Sequence, residues 1–110
     1  MIPSQMLKGV LEGAILKVIQ QKETYAYEIS NTLKTFGFGE IAEGTIYPII
    51  LRLQSNNYIK GESRSSKSGP NRKYYHLTQT GEEFLDEFQQ NWDRLNQAIH
   101  NLWEDNNEKI

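Results

Sequence analysis

The stretch that decides the fold is residues 44–61, which read GTIYPIILRLQSNNYIKG. Its apolar residues recur at helical spacing on one side: Ile46, Ile50 and Leu53. Pro48 lacks an amide hydrogen and is tolerated in the first turn of a helix, so we expect this helix to begin near Gly44 or Thr45. Asn57 can adopt the left-handed backbone conformation in which helices end. The pattern therefore predicts one helix, followed by a strand.

Two further helices are predicted before this one. Apolar pairs recur every four residues from Met6 to Ile19, which predicts a first helix that opens at Ser4 and ends near Gln20. Thr24 can cap a second helix. The predicted apolar face of that helix consists of Tyr25, Ile29, Leu33 and Phe36.

A β-hairpin is predicted after the third helix. Residues 58–62 and 72–77 are suited to two short strands, with Tyr75 and Leu77 on one face. Residues 63–71 are rich in Ser, Gly, Lys and Arg, so we expect a solvated loop between the strands.

A long helix is predicted at the end of the chain. Thr78 or Thr80 is expected to cap it, and Thr80 with Glu83 matches a capping box. Its apolar residues are spaced four and three apart: Phe88, Trp92, Leu95, Ile99 and Leu102. Such a seam of about two heptads is suited to packing against another helix. The predicted fold class is therefore mainly α with a small β-hairpin: a winged helix-turn-helix over residues 1–78, and a C-terminal dimerisation helix over residues 79–110.

The composition restricts the kind of protein. With 110 residues, of which 37% are hydrophobic, the chain can build one modest core and is suited to pairing with a second copy. The chain has no cysteine, which excludes disulfides and thiolate metal sites and suits the reducing cytoplasm. His76 and His100 lie on different elements, and neither is flanked by the arrangement of Asp or Glu that a nucleophile or a metal site needs. We therefore expect a cytoplasmic protein that is not an enzyme and that binds no metal and no cofactor.

Charge is distributed unevenly along the chain. The net charge is −2, but residues 60–76 carry five cations against one acid, whereas residues 82–110 carry eight acids against two cations. A surface attracts partners through its local field, which extends about 10 Å at moderate salt. The basic hairpin is thus a candidate for binding nucleic acid despite the negative net charge.

Five stretches, in this order and at this spacing, carry a family resemblance: YAYEI at 25–29, GTIYP at 44–48, LRL at 51–53, RKYY at 72–75 and LTQTG at 77–81. In them the chain resembles the PadR family of transcriptional regulators, in its short form with a single C-terminal helix. The chain departs from the family pattern at Ala26 and Asn57, where glycine is usual, and both residues are compatible with the fold. The resemblance implies a bacterial repressor that binds operator DNA as a homodimer.

The third helix would then enter the major groove with its amino-terminal end foremost, and the hairpin would contact the phosphates. The residues expected to bind DNA are Tyr27, Thr45, Tyr47, Pro48, Arg52, Lys67, Ser68, Gly69, Arg72 and Lys73. Three alternatives stay open at this point: a core position for Tyr47, a surface salt bridge for Arg52, and a merely solvated loop for the basic hairpin. Tyr25 belongs to the apolar stripe and is expected in the core.

The apolar sides of the first and last helices predict a homodimer, because so small a monomer cannot cover them. The residues expected at its interface are Met6, Leu7, Val10, Phe88, Trp92, Leu95, Ile99, Leu102 and Trp103. Trp92 lies where some family members stack flat aromatic ligands, so we expect it to bind a small aromatic effector. The alternative is a seam residue that only packs.

Two rival functions remain at the level of sequence. The first is a winged-helix module that binds proteins and never DNA, which the acidic tail would suit. The second is a helical scaffold whose only partner is a second copy of itself. Neither rival would bind duplex DNA at any salt concentration.

Overall fold

The computed structural model describes residues 2–66 and 69–105 of the chain. Its elements follow in the order α1 Ser4–Leu7, α2 Leu11–Gln21, α3 Ala26–Thr35, α4 Glu43–Ser55, β1 Ile59–Ser66, β2 Gly69–Leu77 and α5 Gln79–Asp105. The chain is mostly helical, with a two-stranded antiparallel hairpin and a long C-terminal helix, as the sequence predicts. Within the described residues, no helix combines the length and the apolar character needed to cross a membrane.

The core lies where α2, α3 and α4 meet, and the hairpin closes one side of it. The core side chains are apolar and almost fully buried: Ile15, Leu16, Ile19, Ile29, Leu33, Ile46, Ile50, Leu53, Ile59 and Tyr75. The predicted buried face of the third helix is thus confirmed. Phe36, which the same reasoning places on an apolar stripe, is 71% exposed because it follows the last residue of α3 and lies outside the core.

The amino-terminal helix is broken, and the prediction of one continuous helix to Gln20 is wrong. A turn at residues 8–10 separates α1 from α2, and the Val10 amide donates to the Leu7 carbonyl at 2.9 Å. Gly9 stands in this turn, and glycine is costly inside a helix because its backbone loses the most freedom on ordering. The apolar spacing continues across the break and therefore does not reveal it.

The segment before α3 runs beside the hairpin and does not cap the helix through Thr24. The Thr24 carbonyl accepts a 2.8 Å hydrogen bond from the Tyr75 amide, which forms an isolated bridge to β2. Tyr25 precedes the first residue of α3 and makes no side-chain cap hydrogen bond. Thr24 is instead a buried strand-like residue whose hydroxyl donates to Glu28 at 2.6 Å.

The helix α4 begins one residue before the predicted range. It starts at Glu43, so Pro48 lies in its second turn and offers no amide to the Gly44 carbonyl. It ends as predicted, because Asn57 adopts a φ of 64° and the Tyr58 amide donates back to the Leu53 carbonyl at 2.9 Å.

The hairpin is longer than predicted. Strands pair from Ile59 with Leu77 outward to Ser66 with Gly69, with an irregularity between Arg64 and Ser66. The described residues of the expected solvated loop, 63–66 and 69–71, therefore belong to the two strands. Polar residues cover both faces of the outer hairpin, so no alternation of apolar and polar residues signals these strands.

The start of α5 is fixed by Thr78, and the proposed capping box at Thr80 is wrong. The Thr78 hydroxyl accepts from the Gly81 amide at 3.0 Å and donates to the Asn57 carbonyl at 2.6 Å. A Cβ at Gly81 would overlap the Tyr58 carbonyl oxygen, so α5 approaches the chain before β1 closely here. This cap sets the direction in which α5 leaves the body of the molecule.

Candidate DNA interface

The outer face of α4 carries mostly apolar and small side chains. Tyr47 and Leu51 are each 49% exposed, and Gly44 and Pro48 lie on the same open side. Tyr47 is therefore not a core aromatic. A surface of this kind can contact the methyl groups and sugar edges of a DNA groove, and the Tyr47 hydroxyl can donate to a phosphate or a base edge.

A surface depression of about 300 Å³ lies between α3, α4 and the hairpin. Four predicted DNA-binding residues line it together: Tyr27, Tyr47, Arg72 and Lys73. Tyr27 is 57% exposed, whereas Tyr75 forms the buried floor. Burial raises the pKa of the Tyr75 phenol, which therefore stays protonated here. The structure thus brings hydroxyl donors from α3 and α4 and two cations from the hairpin to one place, with the Glu43 carboxylate of α4 beside them.

Arg72 extends from the hairpin over the start of α3. Its guanidinium carbon lies 4.6 Å from the centre of the Tyr25 ring, and its Nη1 donates to the Tyr25 hydroxyl at 3.3 Å. Tyr25 is only partly buried and also contacts the Tyr74 ring edge-on, with 5.2 Å between ring centres. The prediction that Tyr25 lies in the core is wrong, because the apolar stripe of α3 ends at the hairpin.

Arg52 and Thr45 lie on another side of α4. The Arg52 Nε donates to the Glu12 carboxylate at 2.8 Å, and both side chains are partly exposed. Thr45 and Arg52 line a wide groove of about 630 Å³ between α1 and α4, apart from the depression that Tyr47 lines. The salt bridge that the sequence left open as an alternative for Arg52 is therefore present.

Of the other three hairpin residues that are expected to bind DNA, the structure describes one. Gly69 is the exposed first residue of β2. Lys67 and Ser68 lie outside the described residues. Leu51 was missed as a candidate contact, although the spacing of Ile46, Ile50 and Leu53 already turns it outward.

The candidate dimer residues fall into two groups. Those beyond the first three turns of α5 are open, with Trp92 42%, Leu95 51%, Ile99 46%, Leu102 62% and Trp103 66% exposed. Met6 is 74% exposed, but Leu7 is 6% exposed and packs in the core of its own chain, which leaves little of it for a partner. Val10 and Phe88 are partly buried against that core.

An apolar cavity of about 280 Å³ lies between α2 and α5. Phe88 and Trp92 line it from α5, opposite Ala14 of α2 and Val10 of the turn before α2. Gly13 allows the Phe88 ring to pack closely against α2, because a Cβ at this position would overlap the ring. The cavity can hold a small flat apolar molecule beside the Trp92 indole.

The comparison with known proteins bears on the whole of this arrangement. Residues 15–87 match the model of the transcriptional regulator PadR-like family. A PadR-like transcriptional regulator from Bacillus cereus is 49% identical, with a TM-score of 0.82 over 90% of this chain and 96% of its own. A Streptococcus transcriptional regulator is 47% identical, with a TM-score of 0.80 over 91% of this chain and 98% of its own.

A less similar structure contains bound DNA. Bacillus subtilis PadR in complex with operator DNA is 26% identical, with a TM-score of 0.65 over 72% of this chain and 46% of its own length. Members of this family are transcription regulators and not enzymes, which agrees with the expectation from the sequence. The family model matches well over half of the chain, and the likeness to the two closer structures extends over nearly all of it. The chain therefore belongs to the PadR-like family of transcriptional regulators.

Proposed function

We propose that this regulator is a repressor that binds a pseudo-palindromic operator as a homodimer. One observation carries the proposal: hydroxyl donors and cations from α3, α4 and the hairpin converge on a single depression beside the open face of α4. A protein-binding module has no need of this combination, whereas duplex DNA needs phosphate contacts beside a groove-reading helix. The operator complex of Bacillus subtilis PadR supports DNA as the partner.

The residues divide the work of binding by their chemistry. Arg72 and Lys73 supply charge to the phosphates, together with Lys67 and the close backbone approach that Ser68 and Gly69 permit. Tyr27 donates to the DNA backbone beside them. Sequence is read by α4, where Tyr47 and Pro48 meet base edges and thymine methyl groups, with Thr45 at the helix start. Arg52 belongs to this set only if DNA displaces it from Glu12.

We assign residues 1–78 to DNA binding and residues 79–110 to dimerisation. The distal half of α5 supports this division, because its apolar side chains are about half exposed and contact little of their own chain. Large exposed apolar patches are typical of interaction surfaces. A second copy with the same seam covers them symmetrically. The dimer then holds two α4 helices about 34 Å apart, which is one turn of B-form DNA.

A small aromatic effector is proposed to bind at Trp92 and to release the repressor from DNA. The cavity between α2 and α5 supports this, because it opens beside the indole and is lined almost entirely by apolar groups. A ligand there would contact both the body that carries α4 and the helix that joins the two copies. It can therefore alter the spacing of the two DNA-binding surfaces. Such a regulator acts in the cytoplasm.

Selection of bound oligonucleotides from a random duplex pool tests the proposal. We expect two inverted half-sites whose centres lie about 10 base pairs apart, because a twofold dimer imposes its symmetry and spacing on the DNA. Enrichment of a single unpaired half-site would contradict the dimeric mode of binding. No enrichment at low salt would contradict DNA binding itself.

Titration with flat aromatic compounds tests the effector. In a variant in which Trp103 is replaced by phenylalanine, the remaining indole is Trp92, so quenching of its fluorescence reports binding near the cavity. We expect quenching compounds to weaken operator binding at the same concentrations. The effector hypothesis is wrong if no compound in a broad aromatic set quenches Trp92 or changes the affinity for operator.

A further inference from the structure

The outer face of the hairpin is attached to the loop before α3 by side chains as well as by backbone. The Thr24 carbonyl bonds the Tyr75 amide, so the chain at residues 23–25 lies along β2 like a short third strand. Side chains alternate along a strand, and buried Thr24 points inward with Tyr75. Glu23 and Tyr25 therefore point outward, on the face that carries Tyr74.

Arg64 of β1 lies at the centre of this outer face. Its Nη2 donates to the Glu23 carboxylate at 2.7 Å, and its Nε donates to the Glu62 carboxylate at 3.2 Å. Its guanidinium carbon lies 4.8 Å from the centre of the Tyr74 ring. The planar guanidinium thus combines two ion pairs with a stacking contact, which a lysine could not reproduce.

These contacts continue into the DNA-facing part of the hairpin. The Tyr74 ring contacts the Tyr25 ring edge-on, and the Arg72 guanidinium stacks on the Tyr25 ring. Glu23, Tyr25, Arg64, Arg72 and Tyr74 form what we term the outer-face cluster. It connects the body of the protein at Glu23 to a residue that is expected to bind phosphate.

We propose that Arg64 is a positioning residue, which with Glu23 sets the angle of the hairpin to α4 and so places Arg72 and Lys73 on the DNA. This inference rests on the proposed function in DNA binding. It differs from the simple interpretation of Arg64 as one more phosphate-binding cation of a basic hairpin. Two acids already accept hydrogen bonds from the guanidinium, and the hydrogen bond from Arg64 lowers the pKa of the Glu23 carboxyl, which keeps the pair charged at neutral pH.

The two interpretations predict opposite signs for the substitution Glu23→Gln. If Arg64 binds phosphate, removal of a competing acid frees the cation, tightens DNA binding and steepens the salt dependence by about 0.9 per copy. If Arg64 positions the hairpin, the same substitution weakens operator binding by about fivefold per copy, the upper range for one exposed ion pair, although it removes a negative charge. The salt dependence then does not steepen.

Glu62→Gln is the matched control. It removes the same charge and also a contact to Arg64, but Glu62 lies on the same strand as Arg64 and cannot fix the hairpin to the body. We expect its operator affinity to remain within about twofold of the parent. Equal losses in the Glu23 and Glu62 variants would overturn the positioning role.

A charge exchange separates positioning from a general effect of charge. The single reversals Glu23→Arg and Arg64→Glu are both expected to weaken operator binding, and the double variant with both changes is expected to bind more tightly than Arg64→Glu alone. If the loss of binding free energy in the double variant equals the sum of the losses in the two single variants, the proposal is contradicted, because independent residues show no coupling.

Hydrogen exchange of the Tyr75 amide in the free protein provides a test without DNA. This amide forms the backbone bond to Thr24 that joins the hairpin to the loop. We expect Glu23→Gln to accelerate its exchange by about fivefold, and Glu62→Gln to leave it unchanged. Unchanged exchange in both variants refutes the inference even if the parent binds operator normally. If the parent binds no duplex at all, the proposed function fails, and the exchange measurement still decides whether Glu23 holds the hairpin.

Discussion

The exposed seam of α5 gives the proposed dimer a quantitative test at Ile99. In one copy this side chain is 46% exposed, on the same side of the helix as Leu95 and Leu102. Full burial of an isoleucine stabilises by about 1.5–3 kcal/mol, so covering the exposed half contributes about 1 kcal/mol per copy. A symmetric dimer contains the residue twice. Ile99→Ala should therefore weaken dimerisation by about 2 kcal/mol, which is about thirtyfold in the dissociation constant.

Sedimentation velocity over a range of protein concentrations measures this constant directly. Ile99→Glu should shift the population to monomer, because it places two unpaired carboxylates in an apolar seam. Gln97→Glu introduces the same acid on the opposite side of α5 and should leave the dimer intact. The circular dichroism of both variants should keep the helical signal of the parent, since Ile99 contributes little to the core of its own chain.

The result that would refute this reasoning is a dimer of unchanged affinity in Ile99→Glu. The seam would then be uncovered in solution, and the dimer would use another surface. Loss of dimerisation to the same degree in Gln97→Glu would also contradict it, because that outcome assigns the effect to charge on α5 in general.

Three further predictions follow from the close contacts and the DNA surface. Gly81→Ala should destabilise the fold by about 1–3 kcal/mol, because the added methyl group overlaps the Tyr58 carbonyl. Gly44→Ala should not destabilise it, because the space around Gly44 is open. Urea denaturation of both variants measures the difference. Lys73→Ala should weaken binding to all duplexes and flatten the slope of log K against log salt by about 0.9 per copy, and an unchanged slope in fluorescence anisotropy would exclude a phosphate contact. Tyr47→Ala should reduce affinity for the selected operator more than for random duplex, and equal losses in competition assays would assign Tyr47 to the backbone.

The sequence predicts the buried faces of this fold better than its boundaries. Ile46, Ile50 and Leu53 identify the inner face of α4 because burial requires apolar side chains at helical spacing. The break at Gly9 and the outer strands of the hairpin have no such signature. The break at Gly9 depends on backbone entropy, and the apolar stripe continues across it. The outer strands consist of polar residues that pair through their backbones alone.

The candidate site was predictable where a residue acts by itself and not where it acts through a neighbour. The sequence alone predicts Tyr27, Tyr47, Arg72 and Lys73 as DNA-binding residues, and all four line one depression. The pairing of Arg52 with Glu12 and of Arg64 with Glu23 joins residues about 40 positions apart, so no local pattern indicates it. The sequence offers both Thr78 and Thr80 as the cap of α5, and only the residue at which the helix begins decides for Thr78.

The most direct test of the central claim is the affinity of the purified protein for duplex DNA as a function of salt. With Arg72 and Lys73 on phosphates in both copies, log K should fall linearly with log salt at a slope of about −3.6 or steeper. Failure to bind any duplex, even in dilute buffer, would contradict the assignment of α4 and the hairpin as a DNA-binding surface.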